Sequence, residues 1–194
     1  MELIIVSDIF GRTLELEDIA LQLSSPEREG VIVDPYGGKY REFKDEAEAY
    51  SHFQRHVGIE RYKDIVLKAV TRSRDNLLLI GFSVGASAIW AISDETPIRT
   101  NAEAICFYGS QIRNFSGVSP KIKMELIFPE YEPHFDVGYL ISQLSLKSNV
   151  SCHTAPYLHG FMNKKSVNFN ESAYQHYLRL LRASLEPVEL PANA

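Results

Sequence analysis

The sequence predicts a doubly wound, mostly parallel α/β sheet of six strands with helices on both faces. Six short apolar segments recur along the chain, separated by segments with helical periodicity. Short, continuously apolar strands are typical of parallel sheets covered on both faces, and their alternation with helices favours βαβ connections. We expect one domain over residues 1–194, in which residues from about 187 to 194, with two prolines, form a loose tail.

Short segments of four to six residues, most of them apolar and rich in Val, Ile and Leu, define the predicted strands. In chain order they are residues 3–7, 31–34, 77–81, 104–108, 123–128 and 150–154. Pro35 closes the second strand and Pro129 the fifth, because proline has no N–H to donate to a sheet.

Helices are predicted where apolar residues recur every three or four positions. The first is capped by Thr13 and runs to about Leu23, and two amphipathic helices precede the third strand. The others cover residues 84–93, 135–146 and 172–185. The helix over 84–93 is apolar nearly all round and is expected to be deeply buried.

Composition and charge exclude several classes of partner. The net charge of −5, without a basic block, argues against nucleic acid and against an anionic membrane surface. No apolar run reaches membrane-spanning length, and the first residues read as a strand rather than a signal peptide, so we expect a cytoplasmic protein, monomeric or homodimeric. Cys106 and Cys152 lie in predicted strands without metal-ligand spacing and are expected to be reduced core thiols.

The stretch Gly81-Phe-Ser-Val-Gly85 lies between the third predicted strand and the buried helix. This is the context of a G-x-S-x-G turn, in which strained backbone raises the serine hydroxyl above the sheet. Side chains at Gly81 and Gly85 would collide where helix and strand cross. An ordinary glycine-containing turn without chemistry is the simpler interpretation of so short a motif.

Sites in open parallel sheets form beyond the carboxyl ends of the strands. The predicted strands bring Asp8, Ser83, Glu132 and His159 to that edge. A serine hydroxyl needs a base within hydrogen-bond reach, and the base needs a carboxylate to orient it. The chain offers these groups in the order serine, acid, histidine, which is one of the orders in which such triads occur.

Four stretches resemble the dienelactone hydrolase family of the α/β hydrolases: Ser7-Asp-Ile-Phe-Gly11, Gly81-Phe-Ser-Val-Gly85, Phe107-Tyr-Gly109 and His159-Gly-Phe161. Val33-Asp-Pro-Tyr-Gly37 and Leu126-Ile-Phe-Pro-Glu-Tyr-Glu-Pro133 are similar to two of that family's strand ends. The resemblance covers nearly the whole chain in the right order. It implies a compact α/β-hydrolase fold and a serine hydrolase that cleaves a small-molecule ester, lactone or thioester through an acyl-enzyme, without metal or organic cofactor.

The resemblance also implies a role for each residue of the site. Ser83 would be the nucleophile, His159 the general base, and Glu132 the carboxylate that orients the imidazole. The backbone N–H groups of Val84 and Ile9 would form the oxyanion hole. Further neighbours of the site are expected to be Asp8, Phe10, Phe82, Tyr108 and Asp136.

The chain departs from the dienelactone enzyme at several positions. Ser83 stands where the dienelactone enzyme has cysteine, and Glu132 where the family has aspartate, so Asp136, one helical turn on, is a rival acid. Pro129 replaces a glycine, and Asn163 replaces the arginine that binds the substrate carboxylate. Asn163 argues against a dienelactone as the substrate. Glu132 and Pro129 at the acid turn support an alternative, a degenerate α/β-hydrolase domain that binds a ligand or partner without catalysis.

Other residues of the predicted site have simpler interpretations. Apart from the motif, Glu132 would read as a solvated loop carboxylate and Asp8 as a helix cap. The pocket walls are expected from residues 36–44 and 161–170. For the remaining histidines the sequence predicts a solvated helix face (His52, His56), a pocket wall (His134), a packed strand (His153) and a helix surface (His176).

Overall fold

The six strands form one fully parallel sheet with the order β2-β1-β3-β4-β5-β6 in the computed structural model of the protein. The structure describes residues 1–73, 76–95, 98 and 101–186. The strands are β1 (Glu2–Val6), β2 (Gly30–Val33), β3 (Leu77–Phe82), β4 (Ala102–Phe107), β5 (Lys123–Tyr131) and β6 (Val150–Leu158). The predicted fold class is confirmed, whereas the predicted loose tail lies outside the described residues.

Within the described residues, five α-helices and one 3₁₀ helix connect the strands, and a sixth α-helix follows β6. They are α1 (Leu14–Leu23), α2 (Glu46–His56), α3 (Gly58–Val70), α4 (Val84–Ile92), the 3₁₀ helix Ser110–Phe115, α5 (Val137–Leu144) and α6 (Glu171–Leu185). Side chains cap the starts of α1, α2 and α6, since Thr13, Asp45 and Asn170 each accept a backbone N–H of the first turn. The 3₁₀ helix is absent from the sequence prediction.

The core lies in two layers because successive strand side chains point to opposite faces of the sheet. Ile5 and Ile80 pack in one layer with α1 and α6. Val6 and Leu79 pack in the other with α2 to α5. Helix α4 is buried along its whole length, as its composition predicts. No helix among the described residues is long and apolar enough to cross a membrane.

Strand β5 continues through Pro129, where the sequence predicted its end. The last residue of β5 that pairs with β4 is Ile127, so beyond it β5 is paired only with β6. A residue without an N–H is tolerated there because no partner strand lies on one side. The longer strand carries Glu132 three positions past the proline, directly after the strand's last residue.

Strand β6 is the edge of the sheet, which corrects two predictions. His153 is not a packed strand residue: its side chain is 54% exposed and lies 3.4 Å from the Glu125 carboxylate. Cys152 is only half-buried, whereas Cys106 on the inner strand β4 is buried. Both thiols are free, and burial raises the pKa of each.

Candidate active site

The turn between β3 and α4 holds Ser83 in a conformation that residues with a side chain rarely adopt. Its φ is 51° and its ψ is −114°, and its N–H donates to Phe107 O at 2.9 Å. A Cβ at Gly85 would overlap the carbonyl oxygens of Ser7 and Val6. Because backbone cannot yield as a flexible side chain can, glycine is required where α4 crosses the end of β1.

Three side chains from separate strand ends meet above this turn. Ser83 Oγ lies 3.0 Å from His159 Nε2, and His159 Nδ1 lies 2.7 Å from Glu132 Oε1. The carboxylate cannot donate, so Nδ1 carries the proton and Nε2 presents its lone pair to the serine hydroxyl. Glu132 is 6% exposed while His159 is 32% exposed, so the acid is enclosed and the imidazole faces the cleft.

The rival acid Asp136 does not reach the histidine. It is exposed and caps α5, with Oδ1 accepting the Tyr139 N–H at 2.9 Å. Glu132 directly follows Tyr131 on β5, and His159 directly follows Leu158 on β6. Glu132 reaches His159 because Tyr131 and Leu158 are paired between the two strands. Its burial rules out the solvated loop carboxylate that the isolated residue suggested.

The turn after β1 lies beside Ser83 and carries backbone N–H groups. Asp8 Oδ1 accepts the Phe10 N–H at 2.9 Å, and Asp8 O accepts the Gly11 N–H at 3.1 Å. Neither bond uses the N–H of Ile9, whose carbonyl instead accepts the Tyr36 hydroxyl at 2.7 Å. Ile9 and Val84 both line the cleft, and Val84, as the first residue of α4, has no acceptor within its own helix.

The carboxyl group of Asp8, beside these groups, has a raised pKa. Burial raises the pKa of Asp8 to about 6, against the opposing effects of the Phe10 N–H, the Asn163 amide and the His159 ring. Asn163 Nδ2 donates to Asp8 Oδ2 at 2.5 Å. Glu46, across the cleft wall, raises the pKa of Asp8 further through like charge.

Tyr108 forms the floor of the site. Its ring centroid lies 4.9 Å from that of His159, and the residue is 1% exposed with a φ of 41°. Burial raises the pKa of Tyr108 well above its ordinary value, so its hydroxyl stays protonated. Its ring packs against the imidazole and limits the orientations that His159 can take.

These groups open into a cleft of about 440 Å³. Its walls come from α2, the 3₁₀ helix and the loops after β1, β5 and β6, which contribute Phe10, Glu46, Ala47, Tyr50, Ser110, Gln111, Arg113, Pro133, His134, Gly160, Asn163, Ser166 and Asn168. The prediction was right for 161–170 and for His134, but wrong for residues 36–44, which do not line this cleft. No sequence pattern indicated that α2 and the 3₁₀ helix contribute walls to the cleft.

Phe82 is not a wall of the cleft, which corrects its expected place beside the site. Its ring stacks on Phe107 and borders a separate cavity of about 20 Å³ behind Asp8. His52 and His56 lie on α2 with ring centroids 4.4 Å apart, and His176 is exposed on α6. Across the described residues, no three His, Cys, Asp or Glu side chains are grouped so as to hold a metal ion.

Comparison with known proteins identifies a relative by sequence. The chain is 32% identical over 146 residues to the uncharacterized protein YczH of Bacillus subtilis (strain 168), covering 74% of this chain and 71% of YczH. No family model matches the chain.

Solved structures share the fold at low sequence identity. The dienelactone hydrolase-like promiscuous phosphotriesterase P91 from metagenomic libraries has a TM-score of 0.67 and 14% identity, over 95% of this chain and 86% of its own. Esterase 2 of Thermogutta terrifontis has a TM-score of 0.62 and 13% identity, over 100% and 85%. The thioesterase domain from the curacin biosynthetic pathway has a TM-score of 0.59 and 13% identity, over 94% and 90%. The chain therefore belongs to the same family as YczH, and its fold is that of the dienelactone hydrolase-like proteins of the α/β-hydrolase superfamily.

Proposed function

We propose that the protein is a serine hydrolase that cleaves a carboxylic ester, lactone or thioester of a small molecule. The observation that supports this proposal is a pair of consecutive hydrogen bonds, between Ser83 Oγ and His159 Nε2 and between His159 Nδ1 and Glu132 Oε1. A serine on a strained turn, a base in reach and a buried acid are what acyl transfer requires. The proteins that share the fold include an esterase and a thioesterase domain, which favours the same bond types.

In the first half of the reaction, Ser83 Oγ attacks the carbonyl carbon while His159 Nε2 takes the hydroxyl proton. Glu132 stabilises the imidazolium that results. The carbonyl oxygen becomes an oxyanion and accepts the N–H groups of Ile9 and Val84. When the carbon–oxygen or carbon–sulfur bond breaks, the leaving alcohol or thiol takes the proton from Nε2, and the acyl group remains on Ser83.

In the second half, water replaces the leaving group. His159 Nε2 removes a proton from the water as its oxygen attacks the acyl carbon, and the same N–H groups hold the second oxyanion. Collapse returns the proton to Ser83 Oγ and releases the acid. The enclosed position of Glu132 keeps its charge unscreened during both halves, since water cannot surround it.

Covalent labelling tests the proposal directly. A fluorophosphonate probe should label the wild-type protein, and Ser83→Ala should abolish labelling and lower turnover of a p-nitrophenyl ester by about 10⁶. Ser110→Ala is the matched control because this serine also lines the cleft but takes no part in the hydrogen bonds that join Ser83, His159 and Glu132. Labelling that survives in Ser83→Ala would refute the assignment, and a wild-type protein that neither labels nor turns over any ester would favour the ligand-binding alternative.

A further inference from the structure

Glu46 places a carboxylate in the wall of the cleft, beside the loop that carries His159. It is the first residue of α2, and its side chain lines the cleft with Asp8 and Ser83. A Cβ built on Gly160 would lie 3.8 Å from Glu46 Oε1, so the carboxylate faces the residue that follows the histidine. Its charge also reaches Asp8, whose pKa it raises.

The Glu46 carboxylate lies in the first turn of α2, where its charge suits the helix dipole, but no other side chain binds it in the part of the chain that the structure describes. Within the described residues, no hydrogen bond or ion pair engages the Glu46 side chain. Its neighbours are occupied, because Asp45 accepts the Glu48 N–H and Glu48 accepts the Lys44 N–H. A charged group that lines a cleft without a protein partner is available to a ligand.

An aromatic ring stands beside the same carboxylate. Tyr50 lies four residues after Glu46, hence one helical turn along the same face of α2, and both line the cleft. Its side chain is 50% exposed. A carboxylate next to an accessible aromatic face is the chemistry that recognises an ammonium group, through charge and through the ring's negative π-face.

The other charges of the cleft favour the same kind of ligand. Asp8 and Glu132 add negative charge, and Arg113 is the only lysine or arginine among the described residues that line it. The Arg113 guanidinium is already engaged, because Nη1 donates to Ser110 O and the group lies 5.0 Å from the Phe135 ring centroid. A like-charged anionic substrate is disfavoured in such a cleft, and a cationic one is attracted.

We propose that Glu46, with Tyr50 beside it, selects substrates that carry an ammonium group near the scissile ester. This inference rests on the hydrolase function proposed above and narrows its substrate class. An ammonium that keeps an N–H donates charge-assisted hydrogen bonds to Glu46, a quaternary ammonium is held by its charge and by the Tyr50 ring face, and a neutral isostere gains neither. The resulting preference in kcat/KM is expected to be about tenfold or more at low ionic strength, and to shrink as salt screens the charges.

Matched esters that differ only in charge test the inference. In the acyl series we compare p-nitrophenyl 6-aminohexanoate, p-nitrophenyl heptanoate and the p-nitrophenyl monoester of adipic acid. In the alcohol series we compare acetylthiocholine with 3,3-dimethylbutyl thioacetate. We expect the cationic member of at least one series to have the higher kcat/KM, with the anionic ester the poorest.

Variants of α2 separate a local contact from a change in net charge. Glu46→Gln should lower kcat/KM for the preferred cationic ester at least about tenfold more than for its neutral isostere. Glu46→Lys should shift the preference toward the adipate monoester. Glu48→Gln makes the same charge change on the same helix outside the cleft and should keep the wild-type preference.

The outcomes distinguish this inference from the function on which it rests. Turnover of neutral esters with no preference for either cationic ester, or a preference that Glu46→Gln leaves intact, would overturn the role of Glu46 while the hydrolase stands. Failure of every ester to turn over, together with failure of Ser83 to label, would overturn both.

Discussion

Asn163, on the loop after the last strand, donates a hydrogen bond of 2.5 Å to Asp8 Oδ2, on the turn after the first strand. The other oxygen of Asp8 accepts the Phe10 N–H and so shapes the turn that presents the Ile9 N–H. One carboxylate therefore joins the loop that carries the proposed base to the turn that carries half of the proposed oxyanion hole. The loop and the turn are expected to move as one body.

The raised pKa of Asp8 predicts a specific pH dependence of stability. Asp8 titrates at about 6 in the native protein and at about 3.9 in an unfolded chain. Its stabilising contribution is therefore fully present below pH about 4 and is lost as the pH rises through about 6. Between pH 4 and 7.5, the unfolding free energy of Asp8→Asn should gain about 2–3 kcal/mol relative to wild type.

Urea unfolding at the two pH values measures this difference. Asp64→Asn, at an exposed position on α3, is the control and should follow the wild-type pH dependence. If Asp8→Asn also follows it, burial does not raise the pKa of the Asp8 carboxyl in the native protein.

Removal of the Tyr36 hydroxyl is expected to lower kcat, although Tyr36 does not line the cleft. Its hydroxyl donates to the Ile9 carbonyl at 2.7 Å and fixes the orientation of the neighbouring peptide group. Tyr36→Phe should lower kcat by about tenfold with little change in KM, less than the 10²–10³ that loss of an oxyanion donor costs. Tyr40→Phe removes a surface hydroxyl that donates to Glu17 and should leave kcat unchanged. Equal kinetics for the two variants would detach Tyr36 from the oxyanion hole.

The two carboxylates near the end of β5 predict opposite phenotypes. Glu132→Gln should lower kcat by about 10⁴, because the amide no longer favours the required tautomer or stabilises the imidazolium. Asp136→Ala should leave kcat unchanged but lower the unfolding free energy by about 1 kcal/mol, since it removes the cap of α5. Steady-state kinetics and urea unfolding of both variants check the pair, and the reverse ranking would move the acid to Asp136.

Glycine at position 85 is expected to be a requirement of folding rather than of chemistry. Gly85→Ala places a Cβ against the carbonyl groups of Val6 and Ser7 and should destabilise the protein by about 1–3 kcal/mol or more. Gly117→Ala is the control because a Cβ there meets nothing within 4 Å. Thermal melting compares them, and equal melting temperatures would show that α4 does not press on β1 at this position.

The sheet and the meeting of three side chains above it could be read from the sequence for a simple reason. In a parallel sheet, every strand's carboxyl end lies at the same edge, so residues directly after apolar runs are brought together. Ser83, Glu132 and His159 each directly follow a strand, namely β3, β5 and β6. Their placement at one edge depends on strand direction, which local sequence patterns indicate, whereas the contact between Glu132 and His159 also depends on the pairing of β5 with β6.

Features that depend on which strands are neighbours could not be read in this way. His153 was predicted as packed because nothing in its local sequence shows that β6 is the edge of the sheet. Pro129 was predicted to end its strand because proline cannot donate to a second neighbouring strand. The local sequence of β5 does not show that β4 stops pairing with it at Ile127. Glu46 and Arg113 lie on segments distant in sequence from the motif, and only the tertiary fold brings them to the cleft.

The pairing of β5 with β6 has a consequence for how relatives of this protein can diverge. Pro129 pairs with Ala155 and Tyr131 pairs with Leu158, so an advance of two residues along β5 is matched by an advance of three residues along β6. This irregular register directs the next residues, Glu132 and His159, toward the same point. One inserted or deleted residue in either strand would turn Glu132 or His159 to the opposite face. Segment lengths before these two residues should therefore stay constant among homologues. Insertions should accumulate in the walls formed by α2 and the 3₁₀ helix, where a change of length alters the choice of substrate and leaves the reacting groups in place.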